Sequence, residues 1–139
     1  MDSAEFHAAV YEIVRLIPHA RVTSYGHVAK MAGMPNHSRH VGQALKFLPP
    51  NTNPPIPWQR VLGSTGTISS RGPGTEGAQR QQEALEAEGV EVTEGRTGEL
   101  RVDLRAYGWF PSVEEVRALR EAAAAAAVQE DDIPEDGDA

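Results

Sequence analysis

Five of the ten residues from 48 to 57 (LPPNTNPPIP) are proline. Each proline removes a backbone N–H group and fixes φ, so this segment can form neither the interior of a helix nor a central strand. We therefore expect an extended crossing or a stiff loop that delivers the next residue, Trp58, in a restrained backbone. The crossing divides the 139-residue chain into two parts, each with its own short elements.

The part before the crossing has the periodicity of helices. Asp2 and Glu5 form a capping-box pattern, and apolar residues then recur at helical spacing until the next proline, which predicts an amphipathic first helix. Thr23 or Ser24 can cap a short second helix, which ends at the following Gly-Met-Pro sequence.

A third helix completes a helix-turn-helix pattern. A short helix, a glycine-containing turn and a helix with a basic outer face are typical of this DNA-binding motif. The third helix has an apolar stripe (Val41, Ala44, Leu45, Leu48) and an opposite polar face (Arg39, Gln43, Lys46).

The part after the crossing has shorter elements. Residues 61–68 are predicted to form a small hairpin around a glycine-bearing turn, and residues 91–104 a second one. Between them Thr75 is expected to cap a helix over residues 75–88 that stops at Gly89. The whole predicts a mainly α chain with small β-hairpins.

The C-terminal residues differ from the rest in composition. A capping box at Ser112 and Glu115 opens an alanine-rich helix to about Gln129, and the last ten residues are too acidic and too poor in apolar groups to fold. We therefore expect a DNA-binding domain over residues 1–111, followed by a helix and an acidic disordered tail over residues 112–139.

The negative charge belongs to this C-terminal region. Residues 112–139 hold nine acidic residues and two arginines, which accounts for the entire net charge of −7. No acidic residue occurs between Glu12 and Glu76, although that window holds seven basic residues and four histidines. An acid-free basic window in a neutral body favours a polyanion partner, because phosphate binding gains from counterion release.

Several classes of function are excluded by what the sequence lacks. Cysteine is absent, so the chain has no disulfide, no thiolate metal site and no thiol nucleophile. The five histidines lack metal-ligand spacing, and we expect neither a metal nor a cofactor. Without a membrane-length apolar run or a secretory signal, we expect an intracellular protein with no membrane partner, nuclear in a eukaryote and cytoplasmic otherwise.

The segment Pro57-Trp58-Gln59-Arg60-Val61 resembles the active-site strip Pro-Cys-His-Arg-Val of the O6-alkylguanine-DNA alkyltransferases. Tryptophan at the cysteine position is the hallmark of the alkyltransferase-like proteins, which bind alkylated guanine without repairing it. The resemblance implies the winged helix-turn-helix-like fold of the alkyltransferase C-terminal domain. It extends over roughly residues 4–108 through RVTSYG (21–26), RHVGQAL (39–45), QRQ (79–81) and LEAEG (85–89).

The substitutions in this strip predict a protein without alkyltransferase activity. Displacing an alkyl group from O6 needs a strong soft nucleophile, which in the family that this strip resembles is a thiolate prepared by a histidine and an acid. Trp58 offers an N–H donor and no usable lone pair, and Gln59 replaces the histidine. Only Glu88 remains, at the position of the family's supporting acid. We expect no catalytic residue.

The resemblance also implies a lesion pocket. The plane of Trp58 would pack against the alkyl group at the pocket floor, and Arg71, on the loop 70–74, would stack on the flipped base. By the same resemblance Leu45 and Val61 line the pocket, and Tyr25 crowds the neighbouring phosphate and helps to rotate the nucleotide outward.

Arg39 matches the family's arginine that enters the duplex and fills the gap left by the flipped nucleotide. Ser24, Gln43, Lys46 and Arg60 are further candidates for contacts with the DNA backbone or base edges. Together with Tyr25 these residues form the predicted DNA-binding set.

These predictions favour a monomeric, non-enzymatic recogniser of O6-alkylguanine in duplex DNA, which the resemblance links to nucleotide excision repair proteins as partners. The alternative is a helix-turn-helix regulator that binds undamaged DNA. An enzyme remains possible only if a residue other than cysteine accepts the alkyl group. The acidic C-terminal region either solvates the chain, contacts a repair partner, or competes with DNA for the basic window.

Overall fold

The computed structural model describes residues 2–49, 52, 54–68 and 77–132. A short 3₁₀ helix, Trp58–Arg60, directly precedes the second strand. The chain is mainly helical with two-residue strands, which confirms the predicted fold class. The helices are α1 (Ser3–Leu16), α2 (Tyr25–Met31), α3 (Ser38–Lys46), α4 (Gly77–Ala87), α5 (Leu104–Tyr107) and α6 (Val113–Asp132), and the strands are β1 (Thr23–Ser24), β2 (Val61–Leu62), β3 (Thr93–Glu94) and β4 (Leu100–Arg101).

Helix α1 begins with the predicted capping box. The carboxylate of Asp2 accepts a hydrogen bond from the Glu5 N–H at 2.8 Å, and the Asp2 N–H donates to the Glu5 carboxylate at 3.3 Å. These bonds satisfy N–H groups that the first turn of a helix leaves without partners. The buried face of α1 packs against α2, α3 and α6 and forms one wall of the main core.

Helices α2 and α3 form the predicted helix-turn-helix. The Ser24 hydroxyl caps α2 by accepting from the His27 N–H at 3.1 Å. The turn after α2 places Gly33 at φ +87°, in the left-handed region that glycine adopts without strain. On α3 the side chains of Val41, Ala44 and Leu45 are buried, whereas Arg39, Gln43 and Lys46 are exposed as predicted.

The hairpin predicted over residues 61–68 is wrong. Strand β2 instead pairs in parallel with β1, with Val61 opposite Thr23 and Leu62 opposite Ser24. Both apolar residues of β2 become fully buried in this position, whereas one face of a small hairpin would have remained exposed to solvent. The pairing also places the strip that begins at Trp58 beside the turn between α1 and β1, where Arg60 donates to the Ile17 carbonyl.

Strands β3 and β4 form the second predicted hairpin, which is antiparallel. Its second strand is shorter than expected, because Leu104 begins helix α5 instead of ending a strand. The Asp103 carboxylate caps α5 by accepting from the Arg105 N–H at 2.9 Å. A side-chain cap of this kind favours a helical turn immediately after the strand.

Helix α4 ends as predicted. Gly89 has φ +94°, the Val90 N–H donates to the Leu85 carbonyl at 3.0 Å, and the Val90 side chain is buried. This is the hydrophobic contact that commonly follows a glycine C-cap. The predicted cap, Thr75, lies outside the described residues.

Helix α6 extends three residues beyond the predicted end at Gln129 and begins with the predicted capping box at Ser112. Val116 is buried in the main core, and Arg120 forms an ion pair with Glu12 of α1 at 2.8 Å. The division of the chain at residue 111 stays a prediction, although α6 shares the core of the part before it. No helix that the structure describes is long and apolar enough to span a membrane.

Two buried clusters meet at the β1 and β2 pair. The main core is formed by α1, α2, α3, Val61 and Val116. A second cluster contains Val22, Leu62 and Leu85. Because consecutive residues of β2 belong to different clusters, the strip that leads into β2 is held at the junction between them.

Candidate nucleic-acid interface

Trp58 is the first residue of the 3₁₀ helix at the end of the proline-rich crossing. Its backbone N–H donates to the Ile56 carbonyl at 2.8 Å, and Ile56 is itself buried in the main core. The Arg15 guanidinium of α1 donates to the Pro54 carbonyl at 2.9 Å. The Trp58 ring is half-buried and packs against the main core, so part of its surface is accessible. The crossing therefore fixes the indole at the surface, as the sequence predicts.

The Glu88 carboxylate joins the strip to a distant turn. It accepts hydrogen bonds from the Gln59 amide at 2.8 Å, from the Arg60 Nε at 3.0 Å and from the Ala20 N–H at 2.8 Å. Arg60 also donates to the Ile17 carbonyl at 2.7 Å. These bonds hold the two residues after Trp58 in a fixed arrangement, because both side chains are anchored to one nearly buried acid.

The charge of Glu88 is stabilised by the same partners. Burial alone would raise the pKa of this carboxyl, but the hydrogen bonds from Arg60, Ala20 and Gln59 outweigh it and lower the pKa. Glu88 therefore stays ionised at neutral pH. Its position matches that of the family's supporting acid, but its partner here is an amide that does not accept a proton at neutral pH.

Gln81 of α4 holds the backbone of the strip. Its side chain is only 3% exposed, and its amide donates to the carbonyls of both Gln59 and Val61 at 3.0 Å. This role of Gln81 was not predicted from the sequence. The sequence does hold a sign of it, because Gln81 lies three residues after Ala78 and four before Leu85, in the apolar stripe of α4. A glutamine in such a stripe is expected to be buried, and a buried amide needs hydrogen-bond partners.

Tyr25 begins α2 and lies beside α3. Its ring is half-buried, packs on the main core and lies against Gly42 of α3, where an added Cβ would be 4.0 Å from the ring. The neighbouring Ser24 is buried, and its hydroxyl caps α2. Tyr25 is therefore partly accessible beside α3. The Ser24 hydroxyl, predicted to contact DNA, instead forms a hydrogen bond within the protein.

The exposed face of α3 is basic. In the described part of the chain, neither Arg39 nor Lys46 forms an ion pair with a carboxylate. Arg39 lies in the first turn of α3, Lys46 at its last residue and Gln43 between them. This face is therefore open to an anionic partner along the whole helix.

Three predicted site residues have other surroundings. Val61 is predicted to line the pocket, but its side chain is fully buried, so it supports the strip from behind. Arg60 is predicted to contact DNA, but its Nε and one terminal nitrogen bind Glu88 and Ile17 within the protein. Leu45 is also buried, on the inner face of α3, and Arg71 lies outside the described residues.

The structure describes no group of histidines and carboxylates that could bind a metal ion in the ranges 2–49, 54–68 and 77–132. The described candidate residues are instead a half-exposed indole, a half-exposed tyrosine on α2 and the basic outer face of α3. Such groups can stack on and neutralise a nucleic acid.

Comparisons with known proteins identify the family of the chain. The family model for the DNA-binding domain of 6-O-methylguanine DNA methyltransferase matches residues 5–90. Alkyltransferase-like protein 1 of Schizosaccharomyces pombe is 46% identical over 111 residues, which cover 80% of this chain and 100% of that protein. The DNA base-flipping protein of Escherichia coli is 46% identical over 104 residues, covering 75% of this chain and 74% of that protein.

Solved structures show the same similarity. The crystal structure of S. pombe Atl1 in complex with damaged DNA containing O6-carboxymethylguanine matches with a TM-score of 0.73 and 45% identity, over 80% of this chain and 100% of that chain. The O6-methylguanine methyltransferase of Mycobacterium tuberculosis matches with a TM-score of 0.51 and 31% identity, over 60% of this chain and 47% of that chain. The chain belongs to the alkyltransferase-like family, which shares the DNA-binding domain of the 6-O-methylguanine DNA methyltransferases.

Proposed function

We propose that this protein recognises O6-alkylguanine in duplex DNA, flips the damaged nucleotide toward Trp58 and leaves the alkyl group in place. The observation that carries the proposal is the strip itself. An indole occupies the position of the reactive sulfur, and Glu88 and Gln81 hold the following residues rigidly around it. Relatives named as DNA base-flipping proteins, and the complex of S. pombe Atl1 with damaged DNA, support this assignment.

Binding begins at the basic face of α3. Its exposed cations neutralise phosphates, and the acid-free window around them adds no repulsion. Extruding a nucleotide costs a few kcal/mol, so a side chain that fills the vacated stack lowers this cost. Arg39 takes this role because it is exposed in the first turn of α3. Tyr25, half-buried beside α3, limits the space available to the adjacent phosphate.

The flipped base is bound without alkyl transfer. Indole carbon surface excludes water from a small alkyl group, and the indole nitrogen is not a nucleophile. Gln59 donates to Glu88 at 2.8 Å and supplies no base to activate one. Because the chain contains no cysteine, the complex ends at recognition.

A protein that leaves the lesion in place needs others to remove it. We therefore propose that the intracellular complex, formed by one copy of this chain, presents the damaged strand to nucleotide excision repair proteins. The absence of any transfer chemistry in the strip supports a signalling role of this kind.

A titration of matched duplexes tests the recognition step. We expect at least about tenfold tighter binding to a duplex with one O6-methylguanine than to the same unmodified duplex at equal salt, because only the lesion gains the contact with Trp58. Equal affinities would contradict lesion recognition and favour a regulator of undamaged DNA. Incubation with DNA labelled on the methyl group should leave the label on the DNA, whereas label on the protein would indicate alkyl transfer.

A further inference from the structure

Phe47 is the most exposed large apolar side chain among the described residues, with 71% of its surface accessible. A single exposed apolar residue is ordinary on a protein surface. The position of this one is unusual, because it directly follows α3, the helix with the exposed basic face. No role for Phe47 was predicted from the sequence.

The backbone keeps Phe47 on that face. Its backbone N–H donates to the Gln43 carbonyl at 3.1 Å, which is the last i to i−4 bond of α3 and keeps this C-cap residue in line with the helix. Phe47 therefore follows Gln43 by one turn and Arg39 by two, and residues four and eight apart share a face of a helix. At 1.5 Å per residue, the ring lies about 12 Å along the axis from Arg39.

The charges around the ring indicate the kind of surface that it meets. The Lys46 ammonium lies 5.5 Å from the ring centroid, and no acidic residue occurs between Glu12 and Glu76. An aromatic ring beside a cation, with no acidic residue nearby in sequence, suits a surface on which apolar groups alternate with phosphates. The ring would contact an apolar group and the cation a phosphate. The DNA backbone has this pattern, since each deoxyribose lies between two phosphates.

We propose that Phe47 packs against a deoxyribose of the bound duplex, about 12 Å along the axis of α3 from Arg39, while Lys46 binds the adjacent phosphate. This inference rests on the proposed function. The contact is apolar and does not touch the lesion. It therefore strengthens binding to damaged and undamaged duplexes by the same factor and releases no counterions.

Two variants and two controls test this contact by titration of both duplexes from about 50 to 300 mM salt. Phe47→Ala is expected to weaken binding to each duplex about tenfold at every salt concentration, and Phe47→Leu about threefold, because leucine retains part of the apolar surface. Lys46→Gln should instead reduce the slope of log affinity against log salt by about one. Leu119→Ala, which removes the exposed leucine of α6, should leave the affinity unchanged.

Thermal unfolding first checks that the Phe47 variants fold. We expect them to fold, because the Phe47 side chain is largely exposed. Unchanged affinity for both duplexes would overturn the proposal and leave Phe47 to a protein partner. A changed salt slope in Phe47→Ala would also overturn it, because the ring would then act only through Lys46. Loss of affinity for the damaged duplex alone would place Phe47 at the lesion instead. If the wild type itself binds both duplexes equally, the proposed function fails, whereas the contact of Phe47 is still judged by the variants.

Discussion

Glu88 connects the strip that begins at Trp58 to the turn at Ala20. Ala20 precedes Glu88 by 68 residues in the sequence. Replacing the carboxylate by an amide in Glu88→Gln leaves the nearly buried Arg60 guanidinium without its counter-charge. We expect the free energy of unfolding at pH 7 to fall by about 1–3 kcal/mol, which urea denaturation measures. The Glu83→Gln variant, which changes an exposed carboxylate of α4, is the matched control.

The lowered pKa of Glu88 gives this variant a distinct dependence on pH. In the unfolded chain the pKa of this carboxyl returns to its ordinary value of 4.5, whereas the folded value lies lower. The unfolded chain therefore binds a proton first as the pH falls, and the stabilisation is present above pH 4.5 and is lost as the pH falls through the folded pKa. The wild type should lose stability more steeply than Glu88→Gln in this range. Parallel profiles would contradict an ionised, stabilising Glu88.

We expect lesion preference to depend on Arg39. If its side chain fills the gap left by a flipped base, Arg39→Ala should lose most of the preference for the O6-methylguanine duplex. Binding to undamaged DNA should weaken less, because it requires no stable extrusion. Lys46→Gln, on the same face of α3, should weaken binding to both duplexes similarly. An unchanged preference in Arg39→Ala would exclude this role.

At the scale of elements, the packing of helix α6 on the core depends on the first half of the helix. Val116 is 1% exposed and packs in the main core, whereas Leu119, one turn later, is 42% exposed. Val116→Ala leaves a cavity between α6 and α1, and we expect a loss of about 2 kcal/mol in the free energy of unfolding. Leu119→Ala should change it by less than about 0.5 kcal/mol. Similar effects of the two variants in urea denaturation would show that α6 is not anchored through Val116.

The elements that sequence reasoning predicted are those with local causes. The capping boxes at Asp2 and Ser112 and the glycine stop at Gly89 each depend on residues within one or two turns, and the structure has all three. The pairing of β2 with β1 depends instead on contacts between residues 23 and 61, which no local pattern specifies. The short helix α5 was missed because the apolar residues around its Asp103 cap also fit a strand.

The candidate site divides in the same way. The spacing on α3 and the resemblance identified Arg39, Lys46, Tyr25 and Trp58, whose side chains are each exposed or half-exposed. The clamp formed by Gln81 and the internal bonds of Arg60 were not predicted. Both depend on which buried carbonyl groups need donors, and this is decided only when distant segments pack together.

At the scale of the whole molecule, charge is separated along the chain. Residues 1–111 carry equal numbers of acidic and basic residues, and the net charge of −7 lies after them. Residues 130–139 alone contain six carboxylates, beyond the part of α6 that packs on the core. A negative segment tethered near a basic surface repels DNA, or competes with DNA for that surface. Both effects act over the Debye length, which is about 10 Å at 0.1 M salt.

Removing residues 130–139 should therefore tighten binding to undamaged duplex several-fold at about 50 mM salt, and the gain should vanish near 0.5 M, where such charges are screened. Fluorescence anisotropy at matched salt measures this, and Val116 stays in place, so stability should not change. A full-length control with the six carboxylates replaced by their amides separates charge from chain length, and it should bind as tightly as the truncated chain. If only the truncated chain binds more tightly, the segment acts by excluded volume and not by charge. If neither variant gains affinity, the acidic segment does not oppose DNA binding and its function lies elsewhere, for example in contact with a partner.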